Sequence, residues 1–358
     1  MSPSPGAPRN RADGITLHAK IASNAAAMRR WLADAETALG NHSDRLDAIN
    51  IFPVADGDTG TNLYHTVRAA SSTAAETPGT DLGKLLGAAG QAAMEEAWGN
   101  SGTLFAVFLD AFAAALAGQV RMSGPMLARA LHRAQIRAWS ALSDPVGGTM
   151  LSVLEAAAEG AAAASAASAD EDSNVALAAA LDGAVEAALG AVVATETQLG
   201  ILTSAHVVDA GGVGLLLVLA ALRTAVLGEG IPEDTLETLH GFRVQDPHIH
   251  GSQPEAEGVE IMCTIQLSPL DAAGLRQRLD EVGDSVIMSP VGAFDDESGV
   301  CRWRVHVHVV DPEKALALIG AAGEPERVAL TELRSESQAG EDAPSDGFTE
   351  ERTRGRSA

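Results

Sequence analysis

Asp56 and Asp58 flank a single glycine in the run Asn50-Ile51-Phe52-Pro53-Val54-Ala55-Asp56-Gly57-Asp58-Thr59-Gly60-Thr61-Asn62. A turn there lets both carboxylates converge, and two like charges that close need a cation between them. A hard, oxygen-liganded Mg²⁺ that also holds substrate phosphates suits such a pair. Thr59, Gly60, Thr61 and Asn62 then open a helix whose N-terminal amides favour an anion at the same point. The plainer reading of these residues is a capping turn in which the aspartates only satisfy helix amides.

Three further loops repeat the design: Gly99-Asn100-Ser101-Gly102-Thr103, Asp144-Pro145-Val146-Gly147-Gly148-Thr149-Met150 and Val208-Asp209-Ala210-Gly211-Gly212-Val213-Gly214. Each pairs glycine with polar residues and opens a helix, a combination that can cradle phosphate with backbone amides. Alone, each reads equally well as a cap and turn. Four together gather helix N-termini at one end of a bundle, around something polyanionic.

His306 and His308 stand at i and i+2 in the alternating run from Val300 to Val310, so both imidazoles project from one strand face. Cys263 lies on another expected strand. One Cys and two His form a zinc-like ligand set with a position left for water. Two ordinary histidines on a solvated sheet face are the alternative. Cys301, five residues before His306, falls on the opposite face and is set aside. His248 and His250 sit beside Pro247 in a polar segment that preorganises no ligands.

Other nucleotide motifs are missing. The three lysines, Lys20, Lys84 and Lys314, are not followed by Ser or Thr, so there is no P-loop. Gly212-Val213-Gly214 begins a dinucleotide fingerprint, but Leu217 occupies its third glycine position. No Gly-x-Ser-x-Gly elbow is present.

The elements that must position these groups are mostly helices. From residue 15 to about 240 apolar residues recur at three and four, as in Ala25, Met28, Trp31, Leu32 and Ala35. Alanine, the best helix former, dominates. Breaks at Gly40-Asn41, Phe52-Pro53, Pro78-Gly79, Gly99-Asn100, Asp144-Pro145, Asp170-Asp172 and Gly200 divide the stretch into about eight helices. Residues 241–258 are polar and read as a linker. Beyond them the period becomes two: strands are expected at 259–267, 300–310 and 327–333, with helices at 271–282 and 313–322. The fold is therefore mainly α, followed by a small α/β domain over 259–337. Residues 1–14 and 338–358 read as disordered.

A net charge of −24 from 24 basic and 48 acidic residues argues against nucleic acid and anionic lipid as partners. Two cysteines exclude a disulfide framework. The N-terminus shows no apolar signal core, and the longest apolar run, 210–222, is short of the ~20 residues a membrane span needs. These features predict a soluble, cytoplasmic chain without a transmembrane segment.

The runs INIFPVADGDTGTN, WGNSGTLF, DPVGGTML and VVDAGGVGLLL stand in the order found in the L-subunit (ATP-binding) domain of dihydroxyacetone kinases, and the chain resembles that family over residues 15 to 335. It is more similar to the branch of the fatty acid kinase A subunit, whose middle domain shares Cys263 and the His-Val-His-x-x-Asp-Pro run from His306 to Pro312. The resemblance implies an eight-helix antiparallel barrel with ATP at one end. Mg²⁺ would lie between the phosphates and Asp56 and Asp58, which carry catalysis. Thr59, Gly60, Thr61, Asn62, Asn100, Ser101, Gly102, Thr103, Thr149, Met150 and Asp209 would surround the nucleotide. Ser101 and Gly102 would serve the phosphates, and Met150 and Asp209 the adenine and ribose. Zinc would sit at Cys263, His306 and His308 in a domain that serves dimerisation or subunit docking. The implied activity is an ATP- and Mg²⁺-dependent kinase making an acyl phosphate from a fatty acid on a DegV-type carrier protein. The alternatives are a dihydroxyacetone-kinase-like subunit or a non-catalytic nucleotide-binding regulator. Trp98 replaces the family's Arg before Gly-Asn-Ser-Gly, and Ala55 its second Pro. The family's third domain has no counterpart here, which leaves carrier recognition as the weakest implication.

Overall fold

The computed structural model describes residues 21–230, 232–242, 258–295 and 298–333. The expected terminal tails, most of the linker, and His248 and His250 lie outside the described residues.

Eight long helices form the first part: α1 (Ala25–Ala48), α2 (Thr59–Glu76), α3 (Leu82–Glu95), α4 (Gly99–Ala114), α5 (Gly124–Ala141), α6 (Met150–Ala166), α7 (Asn174–Gln198) and α9 (Ala210–Leu227). Short α8 (Gly200–Ala205) joins α7 to α9, and α10 (Glu233–Leu236) follows. Each long helix packs on its predecessor, and α9 packs back on α1, which closes the ring as a barrel. Local chemistry sets the starts. Asn24, Asp81 and Ser173 accept a hydrogen bond from an amide in the first turn of α1, α3 and α7.

Helix α9 is apolar on every side, as a core helix must be. Its mean hydropathy is 2.0, and 83% of its length is buried. The Trp31 indole donates to the Val218 carbonyl at 2.9 Å, pinning α1 across it. By length and composition α7 and α9 are each sufficient to cross a membrane. The uninterrupted apolar run ends at Leu222, but the helix continues through Arg223 to Leu227 and so exceeds the length expected from the run alone.

The second part is β1 (Val259–Leu267), α11 (Pro269–Asp280), β2 (Gly283–Asp295), β3 (Val300–Val309), α12 (Pro312–Ala322) and β4 (Pro325–Glu332). The sheet order is β2-β3-β1-β4, antiparallel throughout. Strand β2 is not among the expected strands. Pro290 and Gly292 break its alternation, and both are tolerated because β2 is an edge strand.

The two faces of the sheet have different partners. Ile261, Cys263, Ile265, Val305, Val307 and Met288 pack with Leu275, Leu279 and Ile319 in a separate core under α11 and α12. The other face meets the barrel. Ile287 and Val291 join the barrel core, Ile287 bridges to Leu142, and Arg304 donates to the Ala97 carbonyl at 3.0 Å.

Candidate active site between barrel and sheet

The barrel end that faces the sheet collects all four helix-opening loops. A cleft of about 850 Å³ lies there, lined from the barrel by Thr59, Asn100, Ser101, Thr149, Met150 and Asp209. Asp280, Gly283, Asp284, Ser285 and Val286 line it from the sheet unit. Among the described residues no lysine or arginine lines it.

A smaller cavity of about 20 Å³, room for one ion or water, adjoins the cleft through Thr59, Asn100 and Ser101. Asp56, Asp58, Glu260 and His308 also border it. Gly57, at φ +66°, makes the turn that brings the two aspartates together. Asn50 donates to Asp56 at 2.6 Å. Burial raises both carboxyls above the usual range. Repulsion from Asp58 adds to the rise at Asp56, and a hydrogen bond from Asn62 opposes it at Asp58. Beside them the Asn100 Oδ1 is buried without a hydrogen-bond partner. Two carboxylates and an unpartnered amide oxygen around a one-ion cavity are a donor set that fits Mg²⁺.

The capping reading fails for these aspartates. Asp58 occupies the N-cap position of α2 but makes no side-chain cap. Asp47, near the end of α1, does so instead. Its Oδ1 accepts from the amides of Gly60 at 2.6 Å and Thr61 at 3.1 Å, and its Oδ2 accepts from the Thr61 hydroxyl at 2.7 Å. Burial lifts the Asp47 carboxyl to about 6 against the pull of these bonds.

The other helix starts divide by function. Helix α4 has no side-chain cap, so its first-turn amides have no side-chain acceptor. Thr149 caps α6, and Asp209 caps α9 by accepting from the Gly212 amide at 2.7 Å. Burial lifts the Asp209 carboxyl to about 7, with that amide opposing. Five residues expected around the nucleotide line neither cavity. Gly60 and Thr61 are engaged by Asp47, and Asn62 holds Asp58. The Thr103 hydroxyl donates to the Gly99 carbonyl, and Gly102 packs on Thr66. They support the loops from behind.

The zinc set changes membership. Cys263 pairs with Val305 and points into the core under α11 and α12, away from the histidines. Burial pushes its thiol up to about 11. Glu260 takes its place: it pairs with His308, and ligand atoms of Glu260, His306 and His308 lie within 4.8 Å of one another. Nor is this a solvated face, for His306 is 0% exposed and His308 5%. His306 Nε2 meets Glu260 Oε1 at 2.8 Å, and its Nδ1 meets the Ser285 carbonyl at 2.9 Å. The Ser285 carbonyl fixes the ring through Nδ1 and leaves Nε2 turned toward Glu260, the position from which it could bind a metal ion. Burial, with the charge of His306, drops His308 to about 3, and its buried Nδ1 has no hydrogen-bond partner. Burial alone would raise Glu260; the hydrogen bond and charge of His306, with His308 and Arg304, bring it below the usual range. Two imidazoles and a carboxylate fit zinc. Glu260 and His308 border the same small cavity as Asp56 and Asp58, so the two constellations read separately from the sequence meet in space.

Residues 53–224 match the DAK2 domain, a span that holds the Asp56-Gly57-Asp58 turn and the three other cleft loops. Residues 53–224 are therefore a DAK2 domain. Its sheet unit continues the relationship: residues 258–339 match the FakA-like middle domain, that of fatty acid kinase A-type subunits. Protein YloV of Bacillus subtilis (strain 168) is 28% identical over 309 residues, covering 83% of this chain and 53% of that protein. An uncharacterised protein of Staphylococcus saprophyticus is 28% identical over 282 residues, covering 76% of this chain and 49% of that protein. The dihydroxyacetone kinase of C. freundii in its native form aligns at 22% identity and a TM-score of 0.41, over 62% of this chain and 39% of that one. The chain spans about half the length of the curated relatives it matches.

Proposed function

We propose that this DAK2-domain chain is an ATP- and Mg²⁺-dependent kinase subunit of the fatty acid kinase type. Its acceptor is a fatty acid carboxylate presented by a DegV-type carrier protein. A carboxylate oxygen attacks the γ-phosphorus, the bond to the β–γ bridging oxygen breaks, and acyl phosphate and ADP are formed.

The observation that carries this reading is the cleft itself: four helix starts, no cationic side chain among the described lining residues, and a buried aspartate pair beside it. Phosphoryl transfer asks a protein for positioning and charge neutralisation. Without lysine or arginine, neutralisation falls to metal and backbone amides. When bound, Mg²⁺ neutralises phosphate oxygens and polarises the transferring group. Asp56 and Asp58 hold it, and Asn50 and Asn62 hold the aspartates. The uncapped start of α4, at Asn100 and Ser101, receives phosphate, and Thr149, Met150 and Asp209 form the wall for the nucleoside. Glu260, His306 and His308 hold zinc and fix the sheet against this end of the barrel.

The test is ATP consumption with Mg²⁺ and a long-chain fatty acid, with and without a DegV-type carrier. Carrier-dependent consumption supports the acyl kinase. Consumption with dihydroxyacetone alone would make it a small-ketone kinase. ATP binding with no turnover on either acceptor would make it a nucleotide-binding regulator.

A further inference from the structure

The sheet unit is more than a neighbour of the cleft. Its segment from Gly283 to Val286 forms part of the cleft wall, and one residue of that wall is strained. Ser285 has φ +53°, the left-handed region that side chains other than Gly, Asn and Asp seldom occupy. Left-handed residues of this kind persist only where their surroundings over-determine them, and they cluster at ligand sites.

Here both units fix the conformation. The Ser285 carbonyl accepts from His306 Nδ1 at 2.9 Å, inside the sheet unit. One residue later, the Val286 carbonyl accepts from the Ser143 amide and hydroxyl, each at 3.2 Å, on the barrel side. Arg276 locks the same junction, donating to the Ser143 hydroxyl and the Ser140 carbonyl, each at 3.1 Å. Within the described residues the Ser285 hydroxyl makes no hydrogen bond, although its residue lines the cleft.

The position along the cleft is also set. His306, which holds Ser285, meets Glu260, and both act electrostatically on Asp58. Asp284, the preceding residue, lies 3.7 Å from His308, which borders the one-ion cavity. Ser285 therefore stands at the metal end of the cleft, where a γ-phosphate would lie. On the barrel side that end is lined by Asn100 and Ser101.

We propose that Ser285 is a further catalytic residue, supplied by the sheet unit, whose hydroxyl donates a hydrogen bond to the transferring phosphoryl group. The proposal rests on the ATP-binding reading above. It makes the second unit part of the reaction centre: the barrel grips the nucleotide, and the sheet unit closes over the group that moves. The left-handed backbone aims the hydroxyl before substrate arrives, as a preorganised donor must be aimed.

Calorimetric binding of MgADP and of MgADP with aluminium fluoride, which mimics the phosphoryl group in transit, tests this without knowledge of the acceptor. Ser285→Ala removes the hydroxyl and keeps the strain. Ser285→Gly removes both. The expected result is unchanged MgADP affinity in both variants and about tenfold weaker capture of the fluoride complex in both. Wild-type affinity for the fluoride complex in both variants overturns the proposal. A loss in Ser285→Ala that Ser285→Gly restores also overturns it, because backbone geometry rather than the hydroxyl would then be responsible. Failure of the wild-type chain to bind MgADP would sink the nucleotide reading itself, and the role of Ser285 with it.

Discussion

Asp47 Oδ1 accepts the Gly60 amide proton at 2.6 Å, across thirteen residues of chain that include the whole Asp56-Gly57-Asp58 turn. The bond lets α1 cap α2 and leaves Asp58 to face the one-ion cavity. Gly60 is required for the approach, because a Cβ there would strike the Ser43 carbonyl and Leu46 of α1.

Asp47→Ala should therefore cost about 1 kcal/mol of stability, the usual worth of an N-cap. Metal affinity should fall as well, since the turn loses its outer anchor. Asp47→Asn keeps an acceptor and should recover most of the stability. Denaturant midpoints with and without Mg²⁺ measure both effects. Equal loss in the two variants would point to the charge of Asp47 rather than its cap.

The aspartate pair should behave in the opposite sense. Burial raises both carboxyls, with repulsion from Asp58 adding at Asp56 and repulsion from Glu260 adding at Asp58, so without metal the folded chain holds protons there that the unfolded chain has released. Asp58→Asn should leave the metal-free fold at least as stable as wild type. ATP turnover should fall by about 100-fold or more, because the metal loses a ligand. Mg²⁺ must displace those protons, so its thermal stabilisation of wild type should grow from about pH 6 to about pH 8. A metal-induced shift in melting temperature that stays flat over that range would count against the pair as the metal site.

Much of this was legible in the sequence. Periodicity at three and four gives the barrel helices, and four loops of glycine and polar residues mark the end that carries the cleft. What escaped is what depends on register or on distant pairing. Asp47 reads as an ordinary helix-surface acid, because nothing local says that its partner is an amide thirteen residues on. Glu260 reads as a solvent-facing strand residue. Only the pairing of Glu260 with His308 and of Cys263 with Val305 decides which of them shares a face with the histidines. Sliding β1 by one residue would have exchanged them. Strand β2 escaped because Pro290 breaks the pattern an edge strand tolerates.

That register yields a direct test of the zinc ligands. Purified wild type should carry zinc, and so should Cys263→Ser, because the thiol lies in the core on the other face of the sheet. Glu260→Gln and His308→Ala should each weaken zinc by about 10- to 100-fold in a chelator competition. Elemental analysis of the four proteins decides the matter. Zinc lost from Cys263→Ser but kept in Glu260→Gln would restore the cysteine to the ligand set and refute the register.

Asp209 supplies the clearest dependence on pH. It is buried, it caps α9, and its carboxyl titrates at about 7 in the folded chain against the ordinary 3.8. Between about pH 4 and about pH 7 folded Asp209 keeps a proton that the unfolded chain has lost, so this group weakens folding steadily as the pH rises. Asp209→Asn keeps an oxygen for the Gly212 amide and cannot ionise. Compared with wild type it should show no advantage near pH 4. The gain should then build to a few kcal/mol near pH 8, as follows for a carboxyl moved from 3.8 to about 7. Subtracting the two proteins removes the opposing contribution of His308, whose depressed value makes stability rise with pH over about 3 to 6.5. A variant that gains or loses equally at both ends of the range would show that the Asp209 carboxyl is not held protonated by burial.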